Sequence, residues 1–273
     1  LSVKSGGRWI QDVGGRVKNF KDEFEKYYDK IKNHEPFAFS RWADGELWIL
    51  ERKSYSLSPT SHGYIFPEDQ KHFDISKHEF HWEKLWDAFK YSAPNYHIGI
   101  TTGSDANILE GVNPRDWMIM HSGSDIDNIT YANLFINSNY RQFRERIIPL
   151  FSEYKTTIMC NERSDITIPY EKDFRVGSNC IVNDDDKIEE MVDYVKTTKP
   201  EGELFLFCAS SLGNCCIHRL HEIAPNNTYL DMGSALNPDL KLSMDRGYLS
   251  AWMGVKQRGL WDMSVYLERE ETW

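Results

Sequence analysis

Short apolar runs alternate with helical patterns along this chain, and that alternation restricts the fold more than any other feature. Residues 17–33 space apolar side chains at helical intervals and predict an amphipathic lead-in helix. Strands that alternate with helices favour an α/β fold built on a parallel sheet. We therefore predict a Rossmann-like, mostly parallel sheet with helices on both faces, in a single domain.

Seven strands and five further helices are predicted. The strands are expected at about 36–40, 96–101, 116–120, 156–160, 179–182, 203–208 and 228–231. The helices are expected at about 44–52, 80–92, 127–153, 187–197 and 213–223. Pro149 is expected to kink or divide the longest helix, because proline removes a backbone donor and crowds the preceding turn.

The first predicted strand runs into an arginine and then into two carboxylates that flank a glycine, in the segment FAFSRWADGEL over residues 37–47. Asp44 and Glu46 offer oxygen ligands to a hard divalent cation, which in turn bridges to phosphates. Arg41 offers a planar fork to phosphate oxygens, and Gly45 permits close approach of the backbone. The alternative is that the acids only favour a helix start. Mid-helix, the two side chains would point about 200° apart, so we place them in the strand-to-helix turn.

Polar, glycine-bearing loops follow three other predicted strands. They are Gly103–Asp105, His121–Asp125 and Ala209–Asn214. Ligands of parallel open sheets bind beyond the carboxyl ends of the strands, so we expect these loops to converge with Asp44 and Glu46. Backbone N–H groups around residues 210–214 would suit a phosphate. The alternative is that these are ordinary turn and N-cap residues.

The segment at residues 39–47 resembles the signature of the GT-D type glycosyltransferases, a family formerly classed as a domain of unknown function. Weaker similarity continues at 131–140, where the Arg-Pro pair of that family is missing, and at 205–214 with 229–234. Together these matches span about residues 36–240. On this basis residues 1–35 are expected to be a helical lead-in, 36–240 the catalytic domain, and 241–273 an extension packed on the same domain.

The resemblance implies a metal-dependent enzyme that moves a sugar from a nucleoside diphosphate donor, here expected to be a UDP-sugar, to a glycan or glycoprotein hydroxyl with inversion. Mn²⁺ or Mg²⁺ is the expected metal. Glu46 is expected to be a metal ligand, and Asp44 either a second ligand or a ribose acceptor. Asp231 is expected either to orient the ribose or to accept the proton of the acceptor, and Asp105 and His121 compete with it for the role of catalytic base. The residues expected to bind the donor are Ser40, Arg41, Gly45, Ser104, Ser210, Ser211, Gly213 and Asn214.

The composition of the chain disfavours several functional classes of protein. A formal net charge of −10 disfavours a nonspecific nucleic-acid-binding protein, which needs a basic surface. No apolar stretch reaches the roughly 18 residues of a transmembrane segment. The five cysteines lack paired CxxC spacing, so we expect reduced thiols in a cytoplasmic protein. The chain starts without methionine, and we expect an excised segment. Two rival functions stay open, a Rossmann-like methyltransferase and a non-catalytic nucleotide-sugar or glycan-binding module.

Overall fold

A computed structural model of the chain describes residues 18–57, 70–101, 113–244, 246–254 and 267–268. Seven of its strands form one parallel sheet, and two short strands form an antiparallel hairpin beside it. The strands are β1 Ala38–Trp42, β2 Tyr55–Leu57, β3 Lys71–Phe73, β4 Tyr96–Ile100, β5 Ile129–Tyr131, β6 Thr156–Asn161, β7 Lys172–Val176, β8 Leu204–Phe207 and β9 Thr228–Asp231.

The order of strands in the main sheet is β5-β4-β1-β9-β8-β6-β7, with every neighbouring pair parallel. After β1 the chain builds outward through β4 to β5, and it then crosses to the other half of the sheet. That half ends with β9 beside β1, where Phe39 pairs with Leu230. The carboxyl ends of β1 and β9 therefore flank the point where the direction of winding changes, which is where open α/β sheets bind ligands.

Helices cover both faces of the sheet. They are α1 Phe20–Lys32, α2 Asp44–Leu50, α3 Glu79–Lys90, α4 Pro114–His121, α5 Tyr140–Gln142, α6 Cys180–Asn183, α7 Asp186–Thr198, α8 Ser210–Ile223, α9 Asn237–Leu240 and α10 Gly247–Trp252. Apolar residues of α2, α3, α4, α7 and α8 form one core layer. Those of α1, α9 and α10, with the segment that follows β5, form the other. The predicted α/β fold with helices on both faces is confirmed. Within the described residues, no helix is both long and apolar enough to cross a membrane.

Two predicted strands are wrong. Residues 116–120 lie in α4, whose start carries strong local signals: Asn113 accepts a hydrogen bond from the Asp116 N–H at 2.9 Å, and Pro114 stands in the first turn. Residues 180–182 lie in the short helix α6, which Asn179 precedes as N-cap, and the strand of this region is instead β7, at the sheet edge. The sequence of β7, KDFRV, puts charged side chains on an exposed edge, which hides the apolar pattern of a strand.

The predicted helix at 127–153 is also wrong in part. It begins at the end of a 3₁₀ turn over Ile126–Asn128 and continues into strand β5, and helical structure resumes at the 3₁₀ turn Asn137–Asn139. Beyond α5 the chain widens into a π-helix over Phe143–Ile147 and then tightens into a 3₁₀-helix over Ile148–Glu153. Pro149 lies in that last segment, so the expected break near this proline is confirmed.

Candidate active site

An arginine and an aspartate lie side by side where β1 and β9 end. Arg41 is the next-to-last residue of β1, and Asp231 is the last residue of β9. The Arg41 N–H lies 3.4 Å from Asp231 Oδ2, and the Gly233 N–H donates to Oδ1 at 3.1 Å. The sheet itself thus brings a cation and a carboxyl together at the winding change.

The Arg41 guanidinium lies flat against the backbone of Gly233. A Cβ on that glycine would stand 3.0 Å from one Nη of Arg41 and 3.1 Å from Cζ, and the φ of Gly233 is +48°. Both the close approach and the left-handed backbone favour glycine there. In the described part of the chain, no side chain or carbonyl accepts a hydrogen bond from this guanidinium. Its donors are therefore available to an anion.

Charges around Arg41 hold it in its charged form. Burial alone would lower the pKa of Arg41, but Asp231, Glu46, Tyr248 and Asp44 together keep the pKa above its ordinary value. An arginine without a fixed protein acceptor, placed among acids, matches the requirements of a phosphate-binding group.

Asp231 has an unusual titration. Burial raises its pKa to about 7, and the charge of Glu46 adds to the effect. The Arg41 charge and the N–H groups of Arg41 and Gly233 oppose the increase. A carboxyl group whose pKa lies near neutrality is matched to accepting a proton from a hydroxyl.

The two acids of the turn point in different directions. Asp44 is the first residue of α2 and is exposed, whereas Glu46 is 7% exposed and its Oε2 accepts a hydrogen bond from the Ala43 N–H at 3.0 Å. Both lie inside α2, as its first and third residues, so the prediction that places them in the turn before the helix is wrong: the helix begins directly after Ala43. A Cβ on Gly45 would meet no atom within 4 Å, so the space beside this turn is open. Glu46 thus stabilises the helix start, and Asp44 faces solvent.

The same geometry limits how a metal would be held. Within the residues that the structure describes, no three His, Cys, Asp or Glu side chains gather around one position. Mg²⁺ and Mn²⁺ do not require such a cage, since Mg²⁺ is commonly bound by one or two carboxylates together with substrate phosphates and water. Asp44 fits that role as an exposed carboxylate, whereas Glu46 is buried and points away from Asp44.

The turn between β8 and α8 places its predicted ligand groups differently. Asn214 is buried, and its Nδ2 donates to Ser40 Oγ at 2.9 Å and to the Arg41 carbonyl at 2.8 Å. Ser211 is buried with its Oγ 2.9 Å from His81 Nε2. A Cβ on Gly213 would stand 3.3 Å from Phe207 Cβ, so this glycine serves close packing of helix on strand.

Two consequences follow for the predicted donor site. Asn214 bonds to Ser40 and to the Arg41 carbonyl at the end of β1, and these contacts fix the backbone from which the Arg41 side chain extends. Ser210 keeps its hydroxyl without a hydrogen-bond partner among the described residues, and its backbone has a φ of +51°. Of the predicted residues in the turn after β8, Ser210 leaves its hydroxyl open to a ligand, and Asn214 leaves its buried Oδ1 without a partner among the described residues.

Of the three candidate bases, the structure describes Asp231 and His121, and it does not bring these two together. His121 ends α4, where its ring stacks on Trp117 at 4.3 Å and its Nδ1 lies 2.8 Å from the Trp117 carbonyl. The next residues meet the end of α3, because the Gly123 N–H donates to the Phe89 carbonyl. That places His121 toward the amino edge of the sheet, away from Asp231. Asp105 and Ser104 lie outside the described residues.

The residues that sequence reasoning missed come after β9. Gly233 packs under Arg41, and Ser234 Oγ lies 2.7 Å from the hydroxyl of Tyr248. Tyr248 is in α10, beyond the region of family similarity, and it is 5% exposed. The segment Asp231-Met232-Gly233-Ser234 offered a signal for the first two. No local sequence pattern indicates Tyr248, because only the tertiary packing of α10 brings it next to Ser234.

Comparison with known proteins supports the fold. No family model and no curated protein matches the chain. A solved structure of a domain of unknown function (DUF1792), as a selenomethionine derivative, is 12% identical, covers 87% of this chain and 83% of that chain, and has a TM-score of 0.52. A structure described as a new glycosyltransferase (DUF1792) from Streptococcus sanguinis is 12% identical over 87% of this chain and 86% of that chain, with a TM-score of 0.49. At this identity, what is shared is the fold, and the predicted resemblance is confirmed at that level.

Proposed function

We propose that this protein is a glycosyltransferase that moves a sugar from a nucleoside diphosphate donor, a UDP-sugar, to a hydroxyl of a glycan or glycoprotein. The observation that carries the proposal is the pairing of Arg41 with Asp231 at the winding change of the sheet. The pair offers a guanidinium without a protein acceptor beside a carboxyl group that titrates near neutrality. The fold shared with DUF1792, and the description of other DUF1792 structures as glycosyltransferases, point to the same class.

Asp231 would be the catalytic base. The acceptor O–H transfers its proton to the Asp231 carboxylate as the acceptor oxygen attacks the anomeric carbon. The bond from that carbon to the diphosphate breaks, and its electron pair leaves with UDP. One base and one displacement invert the anomeric configuration. Asp231 needs its carboxylate form for this step, so turnover is expected to rise with pH through about 7.

Arg41 would bind the diphosphate. Negative charge grows on the phosphate oxygens as the glycosidic bond breaks, and a preorganised guanidinium stabilises that charge. Gly233 leaves room for the guanidinium beside it, while Asn214 Nδ2 donates to the Arg41 carbonyl and fixes the backbone of this residue. The side chain is therefore positioned before the donor arrives.

A divalent cation, Mn²⁺ or Mg²⁺, is part of the proposal. When bound, it would neutralise charge on the diphosphate as a Lewis acid. Asp44 would be its exposed protein ligand, and the buried Glu46 would contribute through its charge rather than as a second ligand. This reverses the order expected from sequence, because Glu46 already accepts a hydrogen bond from the Ala43 N–H.

The test is a ligand screen followed by turnover. We expect UDP to raise the melting temperature, and Mn²⁺ to increase that shift, since ligand bound only to the folded state stabilises it by mass action. Slow release of UDP from a UDP-sugar, without acceptor, would then establish an enzyme. UDP binding with no release from any of several UDP-sugars would instead indicate a binding module. Stabilisation by S-adenosylmethionine, and by no nucleoside diphosphate, would indicate a methyltransferase and reject the proposal.

A further inference from the structure

We propose that the hydroxyl groups of Ser234 and Tyr248 form, together with Arg41, a subsite for a phosphate oxygen of the donor. The inference rests on the proposed function and adds to it the contribution of α10. Tyr248 comes from the C-terminal part of the chain, which carries no motif.

Hydrogen-bond counting shows that this pair holds a spare donor. Ser234 Oγ and the Tyr248 hydroxyl are 2.7 Å apart, and either can donate to the other. Each hydroxyl carries one hydrogen. Whichever group donates within the pair, the hydrogen of the other remains unused. Among the described residues neither hydroxyl has a further hydrogen-bond partner, so one O–H is left for a ligand oxygen.

The spare donor lies beside the proposed phosphate-binding arginine. Ser234 follows Gly233, against which the Arg41 guanidinium lies. Tyr248 is close enough that its charge state and that of Arg41 influence each other. A guanidinium and an O–H on one side of a crevice recognise an anionic oxygen, because both donate hydrogen bonds and one is charged.

The Tyr248 side chain is fixed by packing rather than by its hydroxyl. Its ring meets Tyr140 edge-on with centroids 4.9 Å apart, and it is nearly fully buried. Tyr140 in turn donates to the Ala235 carbonyl at 3.0 Å, next to Ser234. Removing only the hydroxyl by Tyr248→Phe therefore leaves the ring contacts in place.

The experiment measures binding of inorganic pyrophosphate by titration calorimetry in buffer with Mg²⁺. The variants are Ser234→Ala, Tyr248→Phe and the double variant. Each single variant retains one free O–H, so we expect a loss of affinity of about threefold or less. The double variant has no O–H left, and we expect a loss of about tenfold or more, the effect of one hydrogen bond to a charged group. Uridine binding should not change in any of them.

A matched control exists at the opposite edge of the sheet. The hydroxyl of Tyr91 lies 3.0 Å from His221 Nδ1, so Tyr91→Phe also removes one hydroxyl from a hydrogen-bonded pair. We expect pyrophosphate affinity within twofold of wild type for this variant. Should the double variant not fold, Tyr248→Phe combined with Ser234→Cys keeps side-chain size and replaces the strong donor with a weak one.

Comparing the loss of pyrophosphate affinity in the two single variants with the loss in the double variant distinguishes a ligand contact from a structural role. If the Ser234–Tyr248 bond only held the loop, each single variant would lose as much as the double variant. The subsite would be overturned by equal losses in the single and double variants. It would also be overturned by wild-type affinity in the double variant, or by a wild-type protein that does not bind pyrophosphate. The transferase proposal is tested separately: UDP release by a wild-type enzyme whose double variant binds pyrophosphate normally would reject the subsite alone. Pyrophosphate binding with the expected coupling, but without sugar transfer, would reject the transferase alone.

Discussion

The turns after β1 and after β8 look alike in sequence but differ in how their polar groups are used. Both follow a buried strand, both open a helix, and both carry small and polar residues. After β8, the Ser211 hydroxyl meets His81 and the Asn214 amide meets Ser40 and Arg41. After β1, the Arg41 guanidinium and the Asp44 carboxylate have no such partner in the described part of the chain.

This difference distinguishes polar groups that stabilise the fold from polar groups that are available to a ligand. A buried polar group costs free energy unless it is hydrogen-bonded, so most such groups in a fold are paired. After β8, the pairing of Ser211 Oγ and Asn214 Nδ2 identifies these two groups as structural supports, although the Ser210 hydroxyl and Asn214 Oδ1 have no partner among the described residues. The open Arg41 guanidinium and the raised pKa of Asp231 after β1 and β9 mark the place where we propose that the donor binds. The predictions below test this distinction.

The largest effect is expected for Asp231→Asn. The variant removes the proposed base, so we expect kcat to fall by about a thousandfold, within the range for loss of a general base. The measurement is UDP release with acceptor at saturating donor. Activity within tenfold of wild type would show that Asp231 is not the catalytic base, and Asp105 would be the next candidate.

Asp231→Asn should also change stability in a pH-dependent way. Burial raises the folded-state pKa of Asp231 to about 7, whereas an unfolded aspartate titrates near 3.9. The folded state therefore disfavours the carboxylate, and wild-type stability falls as pH rises from about 4 to about 7. Asparagine does not ionise, so we expect the variant to be more stable than wild type by about 1–4 kcal/mol at pH 8, and by much less at pH 5. Urea unfolding at the two pH values measures this, and equal differences at both would contradict it.

The next effect is expected at Arg41. Arg41→Ala removes the proposed phosphate fork, and we expect kcat/KM for the donor to fall about a hundredfold. Arg41→Lys keeps the charge but not the planar fork, so an intermediate loss is expected. Steady-state kinetics with the UDP-sugar measures both. Wild-type kinetics in Arg41→Ala would show that the open guanidinium does not mark a site.

The fold was largely predictable from sequence because hydrophobic periodicity reports it. The strand at Thr228–Asp231 was predicted at its observed residues, and α7 within one residue at each end, since both carry clear apolar patterns. The strand predicted at 116–120 failed because a short apolar run does not distinguish a strand from a buried helix. β7 was missed because its edge position tolerates charge.

The candidate site was predictable only where a local motif exists. Arg41, Asp44 and Asp231 lie where a strand ends, and the sequence marks such positions. The pairing of Ser211 with His81 joins residues far apart in the chain, so the sequence could not show that this serine is already used. Tyr248 reaches Ser234 through the packing of α10, which is equally invisible along the sequence.

A smaller effect is expected on the response to Mn²⁺, and it should differ between the two acids of the first turn of α2. Asp44→Asn removes the exposed carboxylate, and we expect the extra stabilisation by Mn²⁺ in the presence of UDP to be largely lost. Glu46→Gln keeps an oxygen that can accept from the Ala43 N–H, so we expect a nearly unchanged melting temperature without ligand and a partial loss of the Mn²⁺ response. Thermal melting across a Mn²⁺ series, with EDTA as reference, measures both. A full response in Asp44→Asn and none in Glu46→Gln would restore the order of ligands expected from sequence.

The smallest effect on activity is expected at Ser211, and it tests the other turn. Ser211→Ala leaves Nε2 of buried His81 without its partner, and burial lowers the pKa of His81 to about 4, so the ring stays neutral near pH 7. An unpaired buried group of this kind costs about 1–3 kcal/mol of unfolding free energy. Ser210→Ala is the stability control, because this neighbouring hydroxyl has no protein partner in the described structure, and its loss should cost less than about 0.5 kcal/mol. We expect Ser211→Ala to keep kcat/KM within about twofold at a temperature where it is fully folded. A tenfold loss of kcat/KM without loss of stability would mean that Ser211 contacts substrate, and that hydrogen-bond pairing does not separate support from site in this fold.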